Sequence, residues 1–197
     1  MRDKLIMATG NAGKVREIAA ILADEYEEVI SMKQAGISVE IIEDADSFLG
    51  NARKKALAIS VVTDYDVVAD DSGLCVDGLG GRPGVYSARY SESGTDADNN
   101  QKLVKEVSLL DKEGRKAHYV CAIVLARKGK EIFSCEGTCD GCIITEPAGE
   151  GGFGYDPYFY LEKYGQTFGQ MDPVKKNQIS HRAVALQKLK TFLEEEH

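Results

Sequence analysis

Short apolar runs and segments of helical periodicity alternate along the first half of the chain. The run Lys4–Ala8 predicts a strand, and the apolar residues after it recur at helical spacing as far as Leu22. A core-facing set of side chains predicts another helix from about Ser47 to Val61. The run of small and β-branched residues at Val67–Ala69 then predicts a buried strand.

The second half of the chain has longer strand-like segments. Helical spacing over Leu103–Leu110 predicts a helix, after a polar stretch that is typical of a loop. The segments His118–Ala126 and Glu131–Ile144 predict a long hairpin that turns about Arg127–Lys130. A final amphipathic helix follows Ser180, which is a favoured N-cap residue.

Two adjacent acids follow the strand at Val67–Ala69. We expect this strand to end at Asp70 and Asp71, where charges reach solvent, and Gly73 to turn the chain. Neighbouring residues of a strand point to opposite faces, so the two carboxylates should have different roles. One of them can hold a hard cation through its oxygen atoms. The alternative is a strand followed by an Asp-rich turn.

A glycine-containing loop, Thr9–Lys14, joins the first strand to the first helix. This arrangement directs backbone N–H groups and a helix N-terminus at an anion, and Lys14 adds a positive charge. The loop is not a Walker A motif, because Ala8 stands where the first glycine belongs and Val15 replaces the metal-binding hydroxyl. It predicts a phosphate loop of another design, and the alternative is a plain strand–turn–helix connection.

Other polar residues are candidates for the same chemistry. Glu43 lies in an acidic stretch before the helix at Ser47 and can supply a second oxygen ligand, although acids there also favour a helix N-terminus. Asn51 and Lys55 are four residues apart and share a helix face, and Lys55 matters only if that face lines a site.

Two stretches late in the chain carry ligand-binding features. Glycines around Phe153 let the backbone approach a flat ligand on which the phenyl ring can stack, or they form a turn that buries the ring. His181 and Arg182 follow Ser180, where the helix dipole disfavours cations. Two basic residues placed there suggest a ligand that compensates their charge.

Composition restricts the classes of function. The 197 residues suffice to bury a core and fit one large domain, or two lobes that share a sheet, without a linker. The net charge of −8 disfavours binding to a nucleic-acid polymer but allows a local basic pocket. No apolar run approaches a membrane span and no signal peptide is recognisable, so we expect a cytoplasmic protein.

The five cysteines suit reduced intracellular thiols, because they lie mostly in apolar, strand-like segments. Three of them, Cys135, Cys139 and Cys142, have the spacing of a radical-SAM iron–sulfur motif. Gly141 stands where that motif normally has an aromatic residue, and the segment alternates like a strand. We therefore interpret these cysteines as strand residues.

Four motifs together resemble the inosine triphosphate pyrophosphatases, also called the non-canonical purine nucleoside triphosphate pyrophosphatases. They are Thr9-Gly-Asn-Ala-Gly-Lys14, Ala69-Asp-Asp-Ser-Gly73, Gly152-Phe-Gly-Tyr-Asp-Pro157 and Ser180-His-Arg182, in the family's order over nearly the whole chain. The resemblance implies a mixed α/β fold with a long-stranded central sheet and two lobes that flank a nucleotide-binding cleft. It also implies a cytoplasmic homodimer that hydrolyses ITP, dITP and XTP to the monophosphate and pyrophosphate with Mg²⁺.

The resemblance also implies roles for individual residues. Asp71 would be the general base and, with Glu43, a ligand of Mg²⁺. Thr9, Asn11 and Lys14 would hold the triphosphate, with Lys55 nearby, and Ser72 would contact the substrate. Phe153 would stack on the purine base, which residues of the late motifs would help to read. The implied substrate-binding residues are Thr9, Gly10, Asn11, Ala12, Gly13, Lys14, Lys55, Ser72, Phe153, Gly154, Tyr155, Asp156, Lys176, His181 and Arg182.

Gly50 is a departure from the family pattern, which often has glutamate at this position of Phe-x-Glu-Asn-Ala. The change removes any role of that acid in positioning metal or water. Two alternatives to the expected activity remain. One is a pyrophosphatase that acts on other modified nucleoside triphosphates, and the other is a nucleotide-binding module without turnover.

Overall fold

The computed structural model describes residues 2–196 and shows seven strands and five α-helices in that range. The strands are β1 (Arg2–Met7), β2 (Tyr26–Ser31), β3 (Asp66–Val76), β4 (Lys116–Arg127), β5 (Lys130–Ile143), β6 (Phe159–Leu161) and β7 (Gln166–Thr167). The helices are α1 (Ala12–Leu22), α2 (Phe48–Ser60), α3 (Asp96–Val107), α4 (Pro173–Ile179) and α5 (His181–Glu195).

The strands form one mixed sheet in the order β2-β1-β3-β4-β5-β6-β7. β1 pairs in parallel with β2 and β3, whereas β6 pairs antiparallel with β5 and β7. The turn predicted after β4 contains Lys128 and Gly129, which both have positive φ, as type I′ hairpin turns require. The mixed α/β fold with long strands is therefore confirmed.

The chain divides into two compact units, and β3, β4 and β5 each have residues in both of them. The first unit holds residues up to Asp71, Cys121–Gly137 and the residues from Arg182 onward. The second unit holds Ser72–Val120 and Thr138–His181. The predicted single domain without a separable linker stays a prediction.

Strand alternation builds two apolar layers in the first unit. On β1, Leu5 and Met7 join the cluster that contains α1 and α5 side chains, whereas Ile6 joins the cluster that contains Ala52 and Ala56 of α2. Both faces of β1 are therefore buried over its apolar second half, Leu5–Met7, as a continuous apolar run requires. The second unit has its own core, in which side chains of α3 pack with aromatic residues that include Phe159.

Capping side chains set several helix boundaries. The Ser47 hydroxyl accepts a hydrogen bond from the backbone N–H of Gly50, so α2 begins close to its predicted start. Thr95 caps α3, which begins at Asp96, about two turns before the apolar residues that predicted it. The sequence pattern did not predict α4, whose seven residues follow Asp172 as the N-cap and begin with Pro173. No helix within residues 2–196 is long and apolar enough to span a membrane.

Candidate functional site

Asp70 and Asp71 lie inside β3, which corrects the prediction that this strand ends at the two acids. β3 continues through Gly73 to Val76, so the glycine does not turn the chain there. Asp70 is 1% exposed and Asp71 is 9% exposed. A buried carboxylate is unfavourable unless it is paired and hydrogen-bonded. Both acids have such partners, which is why the strand can pass through them.

Asp70 forms ion pairs with Lys14 of α1 and Arg182 of α5. Its Oδ1 lies 3.1 Å from the Lys14 Nζ, and its Oδ2 lies 3.0 Å from the Arg182 Nη2. Arg182 is only 2% exposed and also pairs with Glu17. Burial lowers the pKa of Arg182, but the neighbouring negative groups, Asp70 foremost, raise it overall and keep the guanidinium charged. The protein itself therefore supplies a compensating charge for Arg182, which we had expected from a ligand.

Asp71 has different partners, both on α2. Its Oδ1 accepts a hydrogen bond from the Lys55 Nζ at 3.3 Å, and its Oδ2 accepts one from the Asn51 Nδ2 at 3.1 Å. Burial raises the pKa of Asp71, and Lys55, Lys14 and Asn51 oppose that rise. A carboxylate with a raised pKa accepts a proton more readily, which is the property that a general base needs.

Glu43 and Asp71 converge on one cation, the ammonium of Lys55. The Lys55 Nζ lies 2.8 Å from the Glu43 Oε2 as well as 3.3 Å from the Asp71 Oδ1. Burial lowers the pKa of Lys55, and Asp71, Asp70 and Glu43 raise it more strongly. These contacts show that the two carboxylates reach a common point beside a buried lysine.

This donor set fits a magnesium ion that arrives with phosphate groups. Mg²⁺ usually takes one or two carboxylates from a protein and completes its coordination with phosphate oxygens and water. Within residues 2–196, no group of three or more His, Cys, Asp or Glu side chains could hold a metal ion. Two carboxylates do converge, those of Glu43 and Asp71. They match a site in which protein and phosphate groups both supply ligands, rather than one in which the protein supplies all of them.

The loop before α1 is ordered by its own side chains. Asn11 caps the helix, and its Oδ1 accepts hydrogen bonds from the backbone N–H groups of Gly13 at 2.9 Å and Lys14 at 3.1 Å. Thr9 in turn accepts one from the backbone N–H of Asn11 at 3.1 Å. A Cβ placed on Gly10 would have no atom within 4 Å, so this side of the loop has open space. The predicted phosphate-binding residues thus form a preset turn at a helix N-terminus.

Asn51 is a residue of this cluster to which the sequence analysis gave no role. Its amide contacts both Asp71 and the backbone N–H of Ala45, in the acidic segment. The signal was present in the sequence, because Asn51 precedes Lys55 by four residues and shares its helix face. The sequence alone did not show which strand lies beneath that helix face, so the contact with Asp71 could not be predicted.

In the second unit, Asp156 organises the predicted base-binding loop. Its Oδ2 accepts hydrogen bonds from the Phe153 backbone N–H at 2.9 Å and from the buried Lys176 Nζ at 2.7 Å. The same ammonium lies 4.9 Å from the centroid of the Phe153 ring, within range of a cation–π contact. Charge and ring contacts therefore hold Phe153, Asp156 and Lys176 together.

Neighbouring residues fix the rest of this loop. The Gly154 backbone N–H donates to Asp96 at 2.8 Å, and the Tyr155 hydroxyl donates to the Ser87 carbonyl at 2.7 Å. Burial raises the pKa of Tyr155, so its hydroxyl stays protonated as a donor. The Phe153 side chain stays half-buried while its neighbours Tyr155 and Asp156 are buried. The loop is thus rigid around a partly accessible ring.

His181 and Ser72 are the remaining predicted contacts in the second unit. His181 is buried, and its ring stacks on Tyr119 with centroids 4.5 Å apart and planes 10° from parallel. Ser72 is half-buried in β3, directly after Asp71. The substrate contacts predicted for all these residues stay predictions.

Comparison with known proteins gives a family match over nearly the whole chain. The model of the Ham1 family matches residues 5–192. A dITP/XTP pyrophosphatase of Geobacillus kaustophilus is 48% identical over 193 residues, which cover 98% of this chain and 95% of that protein. A dITP/XTP pyrophosphatase of Desulforamulus reducens is 46% identical over 191 residues, which cover 96% and 95%.

Solved structures agree with these sequence matches. The Ham1 protein of Staphylococcus aureus superimposes with a TM-score of 0.85 at 37% identity, covering 98% of this chain and all of that one (100%). A HAM1 protein from Coxiella burnetii gives a TM-score of 0.87 at 36% identity, with coverage of 99% and 100%. Sequence and fold thus point to the same family.

Proposed function

The chain belongs to the Ham1 family, and from that premise we propose that it hydrolyses dITP, XTP and ITP to the monophosphate and pyrophosphate. The family membership predicted from the four motifs is confirmed, and the relatives named above are dITP/XTP pyrophosphatases. The observation that carries the proposal is the convergence of Asp71 and Glu43 on the ammonium of the buried Lys55. A module that only binds polyphosphate has no need of so much negative charge.

Different residues of the first unit bind the triphosphate, activate the attacking water and stabilise the leaving group. Thr9 and Asn11, in the loop before α1, and Lys14, in the first turn of that helix, hold the phosphate groups where backbone N–H groups favour anions. Asp71 orients a water molecule and takes its proton as the water attacks the α-phosphorus. Lys55 lies beside that carboxylate, so it can stabilise the negative charge of the departing pyrophosphate.

Magnesium is the proposed cofactor, and Asp71 and Glu43 are its proposed ligands. When bound, Mg²⁺ neutralises phosphate charge and fixes the geometry of an in-line displacement. The substrate carries about four negative charges and the chain has a net charge of −8. Since that net charge already counts every lysine and arginine, the chain has no surplus positive charge to neutralise the substrate, which supports a requirement for a cation.

The residues of the second unit are proposed to select the base. Phe153 stacks on the purine, and Asp156, Lys176 and His181 help to read its edge, together with Arg182. Inosine and xanthosine present a keto oxygen at position 6, where adenosine presents an amino group. A site that offers donors there rejects the amino group, because a mismatch leaves buried polar groups unpaired.

Pyrophosphate release tests the proposed function. We would measure kcat/KM for dITP, XTP, ITP, GTP and ATP, each with Mg²⁺ and with excess EDTA. The expected result is a preference of at least ~100-fold for dITP and XTP over ATP, with release lost in EDTA. High activity on other modified nucleotides would support the broader pyrophosphatase, and binding without release would support the non-catalytic module. The cytoplasmic location and the homodimer belong to the same proposal.

A further inference from the structure

Asn51 joins two segments that carry the proposed metal ligands. It lies on α2, is 1% exposed, and uses both ends of its amide. Its Nδ2 donates to the Asp71 Oδ2 at 3.1 Å, and its Oδ1 accepts from the Ala45 backbone N–H at 3.0 Å. A backbone N–H can only donate, so the amide oxygen must face Ala45 and the NH₂ group must face Asp71.

The Asn51 contact fixes the plane of the Asp71 carboxylate. Lys55, one helical turn further along α2, donates to the other oxygen of the same carboxylate at 3.3 Å. Two donors on separate oxygens oppose rotation of the carboxylate about its Cβ–Cγ bond. The Lys55 ammonium also contacts Glu43, and its positive charge competes with a metal cation for the carboxylates. The Asn51 amide is neutral, so it orients Asp71 without such competition.

The Ala45 contact fixes the acidic segment Glu43–Asp46 on the start of α2. This close approach depends on the missing side chain of Gly50, since a Cβ there would lie 2.7 Å from the Ala45 Cβ and 3.0 Å from the Ser47 Oγ. A distance of 2.7 Å between two carbon atoms is too short for side chains to tolerate without movement. Gly50, the departure from the family pattern, thus lets Asn51 reach the Ala45 backbone.

We infer that Asn51 is a positioning residue that holds Asp71 and the segment Glu43–Asp46 as one ligand set for the divalent cation. This inference rests on the proposed function, because it assumes that Asp71 and Glu43 bind the metal. Groups that orient metal ligands typically change metal affinity by ~10- to 100-fold when they are removed. Asn51 contributes to catalysis only through the carboxylate that it orients.

The test compares Asn51→Leu, which has a similar volume and no hydrogen-bonding groups, with a matched change elsewhere. Asn99 provides the match, because it is a buried asparagine on α3 whose amide also bridges backbone groups, at Ser91 and Ala88. Asn99→Leu should therefore destabilise the fold to a similar extent without contact to Asp71. Urea denaturation measures both losses, so that binding is compared only where each variant is folded.

The primary readout is binding of Mn²⁺ to the nucleotide-free protein, followed by the loss of the electron paramagnetic resonance signal of unbound Mn²⁺. We expect Asn51→Leu to weaken Mn²⁺ binding by at least ~10-fold and Asn99→Leu to leave it unchanged. The Mg²⁺ concentration for half-maximal pyrophosphate release from dITP should rise by a similar factor in Asn51→Leu. Its kcat at saturating Mg²⁺ should fall less than that, because Asp71 itself is retained.

A second variant keeps the inference testable if Asn51→Leu fails to fold. Gly50→Ala displaces Ala45 but leaves the Asn51 contact to Asp71 in place, so it should weaken Mn²⁺ binding less than Asn51→Leu does. Wild-type affinity in Asn51→Leu, or in Gly50→Ala where only that variant folds, overturns the inference. Failure of wild-type protein to release pyrophosphate would instead refute the proposed function, and the Mn²⁺ comparison would still decide the role of Asn51.

Discussion

At the scale of single residues, Asp70 and Asp71 show what a sequence can and cannot specify. The period of two along a strand was enough to predict that these neighbours have different roles. Which acid meets which cation depends on Lys14, Lys55 and Arg182, which approach from three different helices. Long-range pairing of this kind has no local signal, so the Arg182–Asp70 ion pair could not be predicted.

The residue-scale prediction concerns the catalytic role of Asp71. Asp71→Asn keeps the size of the side chain and removes its ability to take a proton, so kcat should fall by at least ~100-fold. Steady-state pyrophosphate release from dITP measures the effect.

Asp66→Asn is the matched control for this change. Asp66 is also a buried aspartate of β3, but it pairs with Arg127 at 2.6 Å and accepts from the Tyr26 hydroxyl at 2.9 Å. The control should lose stability and keep its kcat. Near-normal turnover in Asp71→Asn would remove that residue from the role of base.

At the scale of elements, apolar periodicity located most strands and helices but misplaced several ends. β3 runs five residues beyond Asp71, to Val76, because ion pairs offset the burial of its acids. α3 starts at Asp96 in a polar stretch, since the Thr95 cap and early acids, rather than apolar residues, determine its first turn. α4 has too few apolar residues for a periodic pattern, and only Asp172-Pro173 marks its start. Ends were thus missed where polar contacts set them.

The element-scale prediction concerns Gly152 in the loop that carries Phe153. Gly152 has φ +75°, and a Cβ there would lie 2.1 Å from the Asp156 Oδ2, the atom that accepts from Phe153 and Lys176. Gly152→Ala should therefore displace Asp156 and release the loop. We expect the KM for dITP to rise by at least ~10-fold, since one misplaced contact group costs a few kcal/mol of binding.

Gly165→Ala separates the clash from the backbone strain. Gly165 has φ +65°, but a Cβ there would meet nothing within 4 Å. Both substitutions place a Cβ on a residue with left-handed backbone angles, which lowers the free energy of unfolding by ~1 kcal/mol or slightly more. Gly152→Ala should lose roughly 1–3 kcal/mol beyond that from steric overlap. Equal losses in urea denaturation, with equal KM values, would show that Asp156 does not hold the loop.

At the scale of the whole molecule, the four motifs predicted the family, and the family predicted the mixed sheet. The polar residues of these motifs fall into both compact units, and neither unit is continuous in sequence. Three strands change unit within their own length, β3 after Asp71, β4 after Val120 and β5 after Gly137. Composition and periodicity carry no information on such crossings, because the residue pattern of a strand does not change where the strand passes from one unit to the other.

These crossings predict a single cooperative unfolding transition. Unfolding of one unit alone would have to stop within β3, β4 and β5, because each of these strands has residues in both units. Single domains of this size typically absorb about 0.7 kcal/mol per residue near 60 °C, or roughly 140 kcal/mol for the 197 residues. Differential scanning calorimetry of the nucleotide-free protein should therefore give a van't Hoff enthalpy equal to the calorimetric one. Each unit holds about half of the chain, so units that unfold independently would give a van't Hoff enthalpy near half of the calorimetric one. That result would show that the crossing strands do not couple the unfolding of the two units.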